Sequence, residues 1–374
     1  MTEDYPQRQL ATIEELERNF REGKSPSTIV PFVNDPTEDP RLCVTIVAFL
    51  PSHLATRLQH HLIAPMKMLD PNQYFYPSES MHITMQNVRS IADPPTFSED
   101  DIETARRVVG EVVARHNAIS LQLQRLFELP TSLAICAFSN DNLAELVQGL
   151  RGGLAEAGLP DNKQYADGAL FGNCTFSRFS QQPNEKMNWL ISLQKNFVLG
   201  EMLIDELALI TTNAVCHKDK TRVIERYRLP LKLSCKQLVH NSADYEKTVL
   251  LRDIVLRRPL GLSFKPEDLA SENESFHLAC YADGLLFACL VLKPLEDGCV
   301  QMRQVAVAAS AQGRGVGKAL VLYAEAFARS KGFREMYLHA RESAVPFYLK
   351  LSYATEGEPF EEVSIPHMAM RKVL

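Results

Sequence analysis

Apolar and β-branched runs alternate with segments of helical spacing along the whole chain. The first strong run, Leu42 to Leu50 (LCVTIVAFL), predicts a strand that ends at Pro51. A helix follows over Ser52 to Ile63, then a strand over Met81 to Val88. From Glu99 to His116 the residues Ile102, Ala105, Val108, Val109, Val112 and Val113 recur on one helical face. Strands are expected at Ile119 to Phe127 and Leu133 to Phe138. A helix should open at a cap on Asn140 or Asp141 and run to Ala157. Strand Asn173 to Phe179, helix Asn184 to Asn196 and strands Gly200 to Thr211 and Arg222 to Leu229 complete this half. Strand, helix, strand recurs twice, which predicts two related α+β lobes rather than one doubly wound sheet.

Leu231 to Ser242 reads as a connection, and the pattern then changes. A helix over Tyr245 to Leu256 meets Pro259-Leu260-Gly261. Strands are expected at Ser275 to Ala282, Leu285 to Pro294 and Cys299 to Ala308, with Asp283-Gly284 as the hairpin turn between the first two. An amphipathic helix from Gly315 to Ser330 closes at Gly332. Strand Glu335 to Ala340, helix Ala344 to Leu351 and strand Ile365 to Lys372 end the chain. The organisation expected is an N-terminal extension over 1–40, a first domain over 41–232 and a second over 243–374. The extension holds a short helix, Ile13 to Phe20, and a Pro-, Ser- and Asp-rich stretch, Gly23 to Pro40.

Composition supports a folded chain: 374 residues are 45% hydrophobic and 23% charged, enough to bury full cores and unlike disorder or coiled coil. No apolar run approaches the ~18 residues of a membrane-crossing helix, and the polar, acidic start is unlike a signal peptide. A cytoplasmic protein without membrane contact is expected. The net charge of −6 lies wholly in residues 1–232, because residues 233–374 balance 17 basic against 17 acidic side chains. Neither half has the basic excess of a nucleic-acid surface. The eight cysteines contain no Cys-x-x-Cys, so they read as buried thiols, with no metal site expected.

Two segments carry chemistry. The first is the turn after the third strand of the second half, Val305-Ala306-Val307 through Gln312-Gly313-Arg314-Gly315-Val316-Gly317-Lys318. A strand ends, glycines let another backbone approach, and a helix begins with unpaired N–H groups; a diphosphate is the natural ligand. The spacing Gly-x-Gly-x-Gly is not a Rossmann fingerprint. Ala319 after Lys318 is not a Walker loop.

Gln312 to Gly317 resembles the (Arg/Gln)-x-x-Gly-x-(Gly/Ala) turn of the GCN5-related N-acetyltransferases (GNAT). Ala344 to Tyr353 (AVPFYLKLSY) resembles that family's Phe-Tyr-x-x-x-Gly-(Phe/Tyr) helix. The likeness spans about Tyr245 to Leu374, and LRDIVLRRPLG and PFEEVSIPHMAM are similar to a small bacterial branch of the family. It implies a mixed, mostly antiparallel sheet that binds acetyl-CoA as co-substrate. The pyrophosphate would lie on the amides of Gln312 to Gly317 and Lys318, and the pantetheine along Val305, Ala306 and Val307. Tyr348 aligns with the general acid. The base stays open between His339, His367 and an ordered water. Two positions depart from the pattern: Arg341 stands where an Asn is common, and Ser352 where Gly is.

The second segment is His82-Ile83-Thr84 on a predicted strand, where alternation puts His and Thr on one face, a proton carrier beside a phosphate donor. Leu42 to Leu229 resembles the two-histidine (2H) phosphoesterases, a superfamily with 2′-5′ RNA ligase-like and cyclic phosphodiesterase members and two pseudo-symmetric lobes. The second motif falls at Asn173-Cys174-Thr175, with Asn in the place of His. An amide can be neither base nor acid in the two-imidazole reaction. The resemblance thus implies a degenerate, bilobal domain in which His82 alone remains catalytic in kind and Thr84, Asn173 and Thr175 can still bind phosphate. The expected function is transfer of acetyl from acetyl-CoA to a small-molecule or peptide amine, fused to this degenerate domain, which would take a phosphorylated ligand or an RNA end. The alternatives are an RNA-end or cyclic-nucleotide phosphodiesterase with a regulatory CoA-binding domain, and a non-catalytic CoA sensor.

Overall fold

Period-two alternation of apolar residues builds two sheets, one in each of the units Met1–Leu231 and Lys232–Leu374 of the computed structural model. The structure describes residues 5–24, 32, 35–139, 141–161 and 170–374.

The first unit holds β1 (Leu42–Phe49), β2 (Tyr74–Phe75), β3 (His82–Ala92), β4 (Ile119–Leu129), β5 (Ser132–Phe138), β6 (Gly172–Arg178), β7 (Val198–Ile204), β8 (Glu206–Thr212) and β9 (Arg222–Arg228). They form one antiparallel sheet in the order β7-β4-β5-β6-β3-β1-β8-β9, with β2 on β6. Two four-stranded halves meet where Ile83 of β3 faces Cys174 of β6. One face of the sheet packs into the main core with Val44, Ile46, Ile83, Leu121, Ile135 and Cys174. Buried residues Ile102, Ala105 and Val109 of helix Glu99–Val113 join that core. This helix starts on a reciprocal cap, Ser98 accepting from Asp101 N–H and the Asp101 carboxylate accepting from Ser98 N–H.

Three features of this unit differ from the expected elements. The strand expected over Gly200 to Thr211 is two strands that break at Asp205 and pair at opposite parts of the sheet, β7 with β4 and β8 with β1. The break falls at Asp205-Glu206, the charged pair that interrupts the apolar positions. The helix expected to stop at Ile63 continues to Leu69 through a π turn over Gln59–Ile63, with Pro65 in the first turn of the last stretch. The N-terminal helix runs Tyr5–Arg21, longer than expected, and docks on the sheet face opposite the main core. Its Ile13 is buried with Phe127, Ala134, Cys136 and Phe138. Buried Gln9 fixes it by donating to the Leu170 carbonyl (2.6 Å) and accepting from Ser139 N–H (3.2 Å). The helix expected from Asn140 runs Asp141–Glu156. Asn140 lies outside the described residues, as do residues 25–31, 33 and 34 of the polar stretch.

The second unit is a seven-stranded sheet in the order β10-β11-β12-β13-β14-β16-β15. Its strands are β10 (Leu233–Leu238), β11 (Phe276–Ala282), β12 (Leu285–Pro294), β13 (Cys299–Val307), β14 (Glu335–Arg341), β15 (Ala354–Glu362) and β16 (Ile365–Val373). Only β13 and β14 are parallel. The sheet is therefore mixed and mostly antiparallel. Two strands were not expected. β10 occupies the stretch read as a connection, and β15 is a polar edge strand with no apolar alternation to announce it. Between the strands run α1 (Ala243–Arg252), α2 (Val316–Ser330) and α3 (Val345–Leu349). Leu320, Val321, Ala324 and Ala328 form the buried stripe of α2, each large side chain contributing about 1.5–3 kcal/mol.

Candidate functional sites

In the second unit β13 and β14 pair only from Cys299–Glu335 to Met302–Leu338 and then part. Beyond that point β13 keeps its other neighbour, Ala306 facing Cys289 and Val307 facing Ala288. The edge of Arg303 to Val307 toward β14 is thus open backbone, able to pair with an extended ligand. Gln304 there has φ +52°, a left-handed conformation within a register shift of the β12–β13 ladder, as in a bulge. A cavity of about 200 Å³ fills the gap, lined in part by Gln304, Val305, Leu338, Ala340 and Tyr348.

The glycine turn follows directly. Gly313 and Gly315 have φ of +73° and +80°, which an L side chain adopts only with strain. A Cβ on Gly317 would come within 3.4 Å of Val307 and 3.6 Å of the Phe347 ring. The N-cap of α2 is Gly315, with no side chain over it, and the first helical bond is from Ala319 N–H to the Gly315 carbonyl (2.9 Å). The N–H groups of Val316, Gly317 and Lys318 precede it and have no helical acceptor. The turn is exposed at Gln312, Gly313, Gly315 and Lys318. This is an anion cradle in geometry and fits a pyrophosphate.

Tyr348 reaches the cavity from α3, almost wholly buried. Burial pushes its phenol well above the ordinary tyrosine range, so it keeps its proton at neutral pH. The two histidines proposed as bases both line the cavity but differ in their partners. His339 is engaged at both ring nitrogens, Nε2 by the Tyr337 hydroxyl (3.0 Å) and Nδ1 by Glu362 (2.6 Å). His367 holds the Ile365 carbonyl through Nδ1 (2.8 Å), which requires the proton there and leaves Nε2 with a lone pair. Arg341 donates to the Leu256 carbonyl (3.2 Å) at the cavity wall. Ser352 sits at φ +67°, the left-handed position where Gly is usual.

One cluster escaped the sequence reading. Fully buried Arg252 donates through one nitrogen to both oxygens of Glu272 (2.8 and 2.9 Å) and to Gln304 Oε1 (2.6 Å). Gln304 Nε2 returns to Glu272 (2.9 Å), and the guanidinium stacks on Tyr245 and Phe264. The network grips the side chain of the bulged residue beside the cavity. Its signal was available: Tyr245, Thr248 and Arg252 share one helical face, and all three are buried.

In the first unit the Ile83–Cys174 pair puts His82, Thr84, Asn173 and Thr175 on the sheet face away from the main core, where none of the four is fully buried. The sequence-predicted set is thus brought together. What surrounds it is not an open pair of proton carriers. His82 Nδ1 lies 2.7 Å from the Ser80 carbonyl, and the ring is coupled electrostatically to the Cys216 thiol. Burial by itself would lower the imidazole, but Cys216 and Ser80 outweigh it and hold His82 above its ordinary value. Burial would likewise raise Cys216, yet His82, Thr221 and Thr212 draw that thiol down. Thr175 and Asn173 face Ala134 and Cys136 across the ladder, the residues on which the N-terminal helix packs. Nothing in the sequence tied Cys216 to His82, 134 positions away.

Among the described residues no group of three His, Cys, Asp or Glu is placed to hold a metal. No helix among them is long and apolar enough to cross a membrane.

Residues 248–353 match the family model described as Acetyltransferase (GNAT) family. Similar solved structures include an acyl-CoA N-acyltransferase from Pseudomonas aeruginosa, at 25% identity over 38% of this chain and 99% of that one, TM-score 0.33. Escherichia coli ElaA matches at 20% identity over 37% and 99%, TM-score 0.34. A Bacillus subtilis acetyltransferase in complex with CoA matches at 19% identity over 38% and 99%, TM-score 0.31. The open strand edge, the glycine cradle and the matched family model fall on the same stretch of the second unit, which therefore carries a GNAT acetyltransferase domain over residues 248–353.

Proposed function

We propose that the protein is an acetyl-CoA-dependent N-acetyltransferase of the cytoplasm whose chemistry lies at the parted strands β13 and β14. The observation that carries the reading is the meeting of an open strand edge, a glycine cradle and a buried tyrosine at one cavity. Gln312 to Lys318 would hold the pyrophosphate, and Val305 to Val307 the pantetheine arm. Acetyl-CoA supplies the activated acyl group. The Tyr348 hydroxyl would protonate the departing thiolate, and His367 Nε2 is the better-placed of the two histidines to take the proton of the amine. Confinement in a small cavity supplies the proximity that acyl transfer needs.

The same reading gives the first unit the character of a 2H phosphoesterase-like domain that binds rather than cuts. Its support is the grouping of His82, Thr84, Asn173 and Thr175 on one face, with Asn173 unable to carry a proton. A phosphorylated ligand or an RNA end is the class it would take.

Calorimetry with acetyl-CoA and with CoA tests the proposal. Micromolar binding that falls by at least tenfold in Gly315→Asp and Gly317→Asp is expected, since either change sets a negative side chain against the pyrophosphate. Equal affinity in wild type and both variants would move the cofactor elsewhere.

A further inference from the structure

The cavity at the parted strands is lined by three arginines from three separate elements: Arg257 from the turn after α1, Arg303 from β13 and Arg341 from the end of β14. None of the three has a carboxylate partner within ion-pair distance among the described residues. Elsewhere in the same unit Arg252, Arg258 and Arg371 each hold one, on Glu272, Asp253 and Glu335. The single acid on the cavity wall is Glu362, and His339 already occupies it at 2.6 Å. The rest of the wall mixes uncharged polar groups, among them Gln301 and Tyr348, with apolar Leu256, Leu260, Met302 and Val363.

Three guanidinium groups against a single carboxylate create a net positive field in the recess, which concentrates anions and repels cationic ligands. Guanidinium binds planar anions through paired N–H donors, a geometry that suits a carboxylate. At about 200 Å³ the recess is below the usual ligand-pocket range of about 300–1,000 Å³, so it admits the reacting end of a small acceptor. We infer that the amine acceptor is a small carboxylate-bearing amine, such as an α-amino acid or a short peptide with a free carboxylate near its amine, and not a polyamine. This inference rests on the acetyl-transfer reading above and adds the acceptor class to it.

The test is the rate of CoA release from acetyl-CoA with matched acceptors: free amino acids, their carboxamides, their phosphonate analogues and polyamines. The free acid should exceed its carboxamide in kcat/KM by tenfold or more, with the advantage shrinking as salt rises. In Arg303→Gln and Arg257→Gln that preference should fall at least threefold, while acetyl-CoA affinity, measured by calorimetry, confirms that the cradle is still formed. Carboxamides or polyamines serving as well as free acids would overturn the inference and leave acetyl transfer standing. A preference for phosphonates over carboxylates would overturn the carboxylate assignment. Acetyl-CoA that binds but is transferred to none of these amines would overturn the acetyl-transfer reading, and this inference with it.

Discussion

Each unit places a histidine-bearing motif on the face of a mainly antiparallel sheet, but they treat the space beside it in opposite ways. In the first unit the two sheet halves join through the single pair Ile83–Cys174, His82 Nδ1 is held by the Ser80 carbonyl, and a helix is packed on the face next to Asn173 and Thr175. In the second, two parallel strands part after four residue pairs, leaving an open edge, a recess and His367 Nε2 without a partner among the described residues. A motif names the side chains that a reaction needs. Whether those side chains have room and free atoms is decided by strand pairing, and that is where the two units diverge.

The largest effect that sharpens this comparison is at Tyr348. Tyr348→Phe keeps the ring in its buried place and removes only the hydroxyl. Turnover with any accepted amine should fall by about 10²–10⁴-fold, with little change in acetyl-CoA affinity. Single-turnover and equilibrium binding measurements separate the two. An unchanged turnover number would reduce the residue to packing against Phe347 and Tyr353.

Next in size is the buried ion pair under the bulge. Arg252→Met leaves Glu272 buried without its cation, a change that typically costs about 3–5 kcal/mol. Chemical denaturation should show a loss of that order. Arg252→Met with Glu272→Leu should recover much of the stability, yet turnover should stay depressed because Gln304 is no longer gripped. Full recovery of both would make the cluster a stabiliser only.

These sites also mark how far the sequence could be read. The glycine turn was legible because Gly313 and Gly315 take positive φ, where other residues are strained, so conformation is written in residue type. The bulge at Gln304 was not, since a glutamine in the left-handed region leaves no compositional trace. Most strands followed from apolar alternation, whereas β15 at the sheet edge carries only Ala354 and Phe360 among polar residues, Gly and Pro, and β10 interrupts its apolar positions with Lys236 and Gln237. The pairing of His82 with Cys216 is a tertiary fact. Sequence separation hides it, and only the fold brings β3 to the segment after β8.

That pair gives the third prediction. His82 holds Cys216 below the ordinary thiol range, so wild type should show thiolate absorbance that Cys216→Ser lacks and that appears at lower pH than for a free cysteine. His82→Ala should move this difference signal up in pH. The stability consequence has a definite sign. A depressed thiol stabilises the fold above the unfolded cysteine value, about 8.5, and the gain is lost as pH falls through the folded value. A raised imidazole does the reverse: its contribution is full below about 6.5 and is lost as pH climbs through the folded value. The advantage of wild type over His82→Ala in thermal midpoint should therefore vary with pH, the imidazole's share leaving on the alkaline side and the thiol's on the acid side. A difference that stayed flat from pH 6 to 9 would sink the coupling.

The smallest effect is expected from the substitution that a motif-based argument would rate highest. Asn173→His rebuilds the two-histidine pattern, and if residue identity were sufficient it should restore cyclic phosphodiester hydrolysis. Loss of one proton carrier typically costs about 10²–10⁴-fold, so wild type should cleave 2′,3′-cyclic nucleotides negligibly. But the new imidazole would face a partner whose Nδ1 is held by the Ser80 carbonyl and whose charge is coupled to Cys216. With Nδ1 held on the Ser80 carbonyl and its ring coupled to Cys216, His82 is not free to act as a base. Asn173→His alone should therefore gain less than about tenfold, the part that acid donation could recover. Asn173→His with Cys216→Ala removes the coupled thiol and should gain more than the single change. The order of these two activities, measured on one cyclic nucleotide, decides whether the missing histidine or the occupied one silences the face. Robust hydrolysis by wild type that disappears in His82→Ala would show that neither does.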